Sequence, residues 1–115
     1  MAAEWLTVLS VSWHSAEWLR DLLANMLALA DQPDSLRLLV ADNTNGADPD
    51  LRHLDFPHLE IVPVNVGGQI MSMAHAHGLN TLWERVETPF VLIVDPDVAL
   101  LQPAWDSALR EMFAA

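Results

Sequence analysis

The sequence predicts a three-layer α/β/α fold on a mainly parallel sheet of four strands. Two observations carry that reading. Short runs rich in Val, Leu and Ile alternate along the chain with longer stretches whose apolar residues recur at helical spacing. That alternation is the pattern of βαβ units. The last run is apolar at every position, as a strand covered on both faces would be. With right-handed crossovers, the predicted spatial order is 3-2-1-4.

The first strand is Leu6–Ser12, β-branched and closed by a polar break at Trp13-His14-Ser15. Ser15 is placed to cap a helix, with Glu17 in the first turn where the helix dipole favours it. Trp18, Leu19, Leu22, Leu23, Met26 and Leu27 carry that helix to about Ala30, before Gln32-Pro33-Asp34 ends it. Leu36–Ala41 is a second strand and stops on Asp42. A polar loop follows, with a turn at Asn45-Gly46 and solvated charges at Asp48 and Asp50. Residues 51–54 have room for one helical turn.

Leu59–Val62 is a short third strand closed by Pro63. The loop Asn65-Val66-Gly67-Gly68-Gln69 has glycines that allow close approach of a ligand. Ile70–Val86 reads as a helix with Met73, Leu79, Leu82, Trp83 and Val86 as its buried stripe. Gly78 is the point where this helix would break. The fourth strand runs through Val91-Leu92-Ile93-Val94. Pro103 precedes a last helix over Ala104–Ala114. The tryptophans and methionines read as core.

Composition narrows the function. The chain has 115 residues, the size of one domain over 1–115. Its formal net charge is -11, and its five basic residues are all arginine. That balance argues against a nucleic-acid backbone as partner. With no cysteine, disulfides, zinc–thiolate sites and thiol nucleophiles are excluded. No apolar run approaches the ~20 residues of a membrane span. The expected location is cytoplasmic, peripheral to a membrane only through other proteins.

The chemistry concentrates at strand ends. The fourth strand leads directly into Asp95-Pro96-Asp97. In an extended segment residues i and i+2 point the same way, so both carboxylates converge on one cation. Mg²⁺ and Mn²⁺ take oxygen ligands, and Mg²⁺ is commonly held by one or two carboxylates plus substrate phosphates. The bland alternative is a Pro-Asp turn with solvated aspartates. In a parallel sheet, ligands sit outside the carboxyl ends of the strands. Ser12-Trp13-His14, Asp42-Asn43 and Asp95/Asp97 would all meet on that edge. His75 and His77, two apart on a helix, point apart and read as packing or surface residues.

Four segments in order resemble the inverting glycosyltransferases of family 2, which have the GT-A fold. They are Val8–Leu19, the loop Leu39–Asp48 (similar to V-D-N-x-S-x-D), Val64-Asn65-Val66-Gly67 (N-x-G) and Val94-Asp95-Pro96-Asp97-Val98 (D-x-D). The resemblance spans essentially the whole chain and implies the Rossmann-like, nucleotide-sugar-binding half of such an enzyme. It implies a nucleotide-sugar donor, typically a UDP-sugar, held by Ser12, Trp13, Asp42, Asn65, Gly67 and Asp95. Asp42 would meet the base and Asp95 the ribose or metal-bound water. Asp95 and Asp97 would serve a Mn²⁺ or Mg²⁺ ion on the diphosphate.

Trp13-His14 replaces the family's tyrosine-asparagine, and the Gly67–Gly78 stretch is longer than usual. The acceptor-binding half, with the general base, is expected beyond Ala115, so no catalytic residue is assigned within the chain. The acceptor is unassigned; the expected protein partners are a second copy or a separately encoded acceptor half. The alternative is a non-catalytic remnant or a partner-dependent subunit of the same fold. A D-x-D phosphatase-like hydrolase is disfavoured by Ala99, where that class places threonine. A receiver-type domain is disfavoured by the lack of lysine.

Overall fold

A computed structural model describes residues 3–114. Four strands, β1 (Leu6–Ser12), β2 (Leu36–Asp42), β3 (Leu59–Pro63) and β4 (Phe90–Ile93), form one sheet in the order β3-β2-β1-β4. All three pairings are parallel. Leu6 lies opposite both Leu36 and Phe90, and Leu38 opposite Leu59. The helices are α1 (Ala16–Leu29), α2 (Pro49–Arg52), α3 (Met71–Trp83) and α4 (Trp105–Ala114). The predicted α/β architecture and strand order are the observed ones.

Strand periodicity divides the core into two layers. Leu6, Val8, Leu36, Leu38 and Val40 face one side and pack with Leu19, Leu22, Leu23 and Met26 of α1. Trp5 and Trp105 close that layer. Leu9, Val11, Leu39 and Ala41 face the other side, with Val62, Val64 and Leu82 of α3. β1 and β2 are therefore buried on both faces, as parallel strands between helices must be. Polar ties fix α4 against α1. The Trp105 indole donates to the Met26 carbonyl at 2.9 Å, and the buried Asp106 carboxylate accepts from the backbone N–H of Asp31 and Gln32.

Several expectations are corrected. β4 is not buried on both faces: Phe90 and Ile93 at its ends are exposed. It pairs only with β1, so one edge and much of its surface lack cover among the described residues. The buried stripe of α3 omits Met73 and Trp83, which are exposed. Ala74, Gly78 and Leu82, each four residues apart, form the inward row instead, with Gly78 and Leu82 fully buried. Gly78 does not break the helix. Trp13, Trp18, Trp83, Met71, Met73 and Met112 lie outside the core as exposed side chains. Asp48 is buried rather than solvated, because it caps α2: its carboxylate accepts from the Leu51 N–H at 3.3 Å. The short helix consequently begins at Pro49, two residues earlier than expected. No helix of the described residues is long and apolar enough to cross a membrane.

Candidate functional site

Because the strands are parallel, their carboxyl ends share one edge of the sheet. A cleft of about 800 Å³ opens there. The β1–α1 loop contributes Trp13 and Ser15 beside Val11, and the β2 end contributes Asn43. Val66, Gly68, Gln69 and Ile70 come from the β3–α3 loop, and Met71, Ala74 and His75 from α3. Asp95 and Pro96 close it from the β4 end. A largely apolar cleft with a few polar groups at a strand-end crevice is the usual form of a small-molecule site. Of the residues expected to hold a nucleotide sugar, Trp13 and Asp95 line this cleft; Ser12, Asp42, Asn65 and Gly67 lie behind or beside the lining.

At the end of β1 the chain turns sharply, with His14 at φ 55°. Trp13 is 63% exposed, and its ring lies nearly perpendicular to that of His14, with centroids 4.8 Å apart. Ser15 stands at the N-cap of α1 as expected, but its side chain makes no capping hydrogen bond. Ser12, buried, accepts from the Ser15 N–H at 3.2 Å, while the Ser15 hydroxyl donates to the Trp13 carbonyl.

Asp42 organises the loop after β2. One carboxylate oxygen accepts from the Thr44 N–H at 2.9 Å and its hydroxyl at 2.6 Å; the other accepts from the Gly46 N–H at 3.0 Å. The group is almost wholly buried. Its neighbour Asn43, placed on this edge from sequence but given no role, lines the cleft instead. The Asn43 amide donates to the Ala74 carbonyl at 2.9 Å, tying the loop to α3. Its oxygen is buried without a hydrogen-bond partner and sits 2.8 Å from where a β-carbon on Gly78 would be. The glycine in the helix was the available signal for this close approach.

In the β3–α3 loop, the Asn65 side chain accepts from the Gly67 N–H at 2.9 Å, an Asx-type turn. Gly67 and Gly68 take left-handed φ values of 60° and 83°, where a β-carbon is disfavoured. Met71 also has a positive φ, 53°, at the start of α3. Gln69 hydrogen-bonds His77 through the ring Nδ1 at 2.9 Å and so pins the loop to the helix.

After β4 the chain does not continue extended. The Asp95 carbonyl accepts from the Val98 N–H at 3.2 Å, closing a β-turn with Pro96 and Asp97 in the middle. The extended geometry expected to aim both carboxylates alike is therefore replaced by a turn. Both carboxylates are exposed, with no hydrogen-bond or ion-pair partner among the described residues. No group of three or more His, Asp or Glu placed for a metal occurs among the described residues.

The chain matches no protein-family model and no curated protein. Among solved structures it is similar to TarS of S. aureus, a glycosyltransferase of the GT-A type. Against TarS residues 1–349 the TM-score is 0.66 at 20% identity, over 96% of this chain and 32% of that one. Against a longer TarS chain it is 0.64 at 20% identity, over 96% and 20%. The chain thus spans about a third of the shorter TarS chain. The likeness is one of fold: the chain shares the α/β architecture of the matched TarS segment.

Proposed function

We propose that the chain binds a nucleotide-sugar donor, of the UDP-sugar class, in the cleft at the carboxyl ends of β1, β2 and β4, as the donor domain of an inverting glycosyltransferase of family 2. The observation that carries this reading is the cleft itself. It lies at the switch in strand order, where β1 is flanked by β2 on one side and β4 on the other. It has an exposed indole at one wall and a carboxylate at the other. Trp13 offers a flat apolar surface for a base, and Asn43 ties the cleft floor to α3.

Asp95 and Asp97 would hold Mn²⁺ or Mg²⁺ against the diphosphate. When bound, such a cation stabilises the charge that gathers on a departing diphosphate. The protein's part is to present the two carboxylates on the turn that Pro96 stiffens, and to seat the nucleotide between Trp13 and the β3–α3 loop. Asp42 supports this by shaping the Thr44–Gly46 turn beside the cleft.

Calorimetric titration with UDP tests the reading. Binding is expected with Mn²⁺ and is expected to weaken at least tenfold in EDTA, a difference of about 1.4 kcal/mol. Asp97→Ala should remove the metal dependence. Equal affinity in Mn²⁺ and EDTA would reject the metal role; no UDP binding under either condition would reject the donor reading.

A further inference from the structure

The cleft has a charge problem that its composition makes plain. A nucleoside diphosphate is an anion, yet the chain has no lysine and none of its five arginines lines the cleft. Arg37 and Arg85 both engage Glu60 at the far edge of the sheet. Arg110 lies over the Trp5 ring, 5.3 Å from its centroid. Arg20 lines a separate cleft with His14 and Asp48, and Arg52 ends α2. The titratable side chains that do line the donor cleft are Asp95 and His75.

The two histidines of α3 are differently placed. His77 is held by Gln69 through a side-chain hydrogen bond. His75 is half-buried, lines the cleft, and makes no side-chain hydrogen bond among the described residues. Its position is well determined. The preceding carbonyl, that of Ala74, accepts from Asn43, and one turn later Gly78 lets the helix sit directly on Asn43 and Val11. An imidazole fixed on a helix, free of protein partners and facing a cleft is a ready hydrogen-bond donor, and a cation when protonated.

We propose that His75 is the residue of this chain that contacts the phosphate of the bound nucleotide, supplying the donor that arginine or lysine would otherwise supply. The inference rests on the nucleotide reading above and adds to it a specific contact. It predicts discrimination between phosphorylated and unphosphorylated nucleoside, because only the former reaches His75.

The test compares UDP and uridine, both with Mn²⁺, on the wild-type chain and on His75→Gln and His75→Arg, with folding checked by circular dichroism. Loss of a charge-assisted hydrogen bond should weaken UDP binding about tenfold in His75→Gln. Uridine binding should stay within twofold. His75→Arg should restore UDP affinity, which a purely structural role would not do. Wild-type UDP affinity in folded His75→Gln would overturn the inference and leave the donor reading intact. Equal losses for UDP and uridine would reassign His75 to structure and also overturn it. Absence of UDP binding in the wild type would overturn both.

Discussion

Gly78 and Asn43 are where single atoms decide the geometry of the site. Alanine at 78 would gain roughly 1 kcal/mol of helix propensity. Its β-carbon, however, would stand 2.8 Å from the Asn43 oxygen and 3.1 Å from a Val11 methyl. Neither neighbour yields freely: Asn43 is tied to Ala74, and Val11 is buried. Overpacking of this kind costs about 1–3 kcal/mol. Gly78→Ala is therefore expected to lower stability in urea by about 1 kcal/mol net. In an Asn43→Ala background the same change should cost less. An increase in stability on Gly78→Ala alone would contradict the packing described. Asp42 makes a second residue-scale prediction. Its carboxylate accepts three hydrogen bonds from the loop it precedes. Asp42→Ala should destabilise the fold by about 2–4 kcal/mol. Unchanged urea midpoints for Asp42→Ala would show that the loop does not depend on it.

At the scale of elements, β4 carries the clearest consequence. It pairs with β1 along one edge, and its other edge has no strand among the described residues. The strand has no charge, and Phe90 stacks on Phe113 of α4 with ring centroids 4.4 Å apart, both partly exposed. An uncharged open edge recruits other strands. The net charge of -11 opposes this, but only within the Debye length, about 30 Å at 0.01 M salt and 10 Å at 0.1 M. Light scattering should therefore detect more self-association as salt rises, and Ile93→Lys should suppress it. A monomer at every salt and protein concentration would count against the edge. The same strand explains one limit of the sequence. Val91-Leu92-Ile93-Val94 reads as doubly buried because an apolar run does not encode whether a neighbour is present. α3 explains another. Its inward row is Ala74, Gly78 and Leu82, and small residues that permit close approach carry little hydrophobic signal, so Met73 and Trp83 outweighed them. The strands and their order were legible because β1 and β2 are apolar on both faces and crossovers have one hand. Trp13 and Asp95 were legible as cleft residues because they stand at strand ends. The tie of Asn43 to α3 and the cleft position of His75 were not, since both depend on how α3 seats on β1 and β2.

For the whole molecule, the layers explain why the cleft sits where it does. α1 and α4 cover one face of the sheet and α3 the other, so the loops that bridge sheet to helix gather at the carboxyl edge. The cleft walls are held by links between layers: Asn43 to α3, and Gln69 to His77. α4 is held to the segment just after α1 through Asp106, whose carboxylate serves the backbone N–H groups of Asp31 and Gln32. Asp106→Ala leaves both without that buried acceptor and should cost about 2–3 kcal/mol in urea denaturation, with UDP affinity unchanged. A fall in UDP affinity greater than the stability loss explains would show that α4 shapes the cleft directly. The central claim is that one cleft, at one edge of this sheet, receives both nucleotide and cation. Nuclear magnetic resonance tests it most directly, by titrating UDP with Mg²⁺ and then substituting Mn²⁺ as a paramagnetic probe. The amide signals of Trp13, Asn43, Gly68 and His75 should shift with UDP, and those of Asp95 and Asp97 should broaden first with Mn²⁺. Shifts centred instead on His14, Arg20 and His53 across the β1–α1 loop, or broadening spread over the acidic surface, would contradict the account.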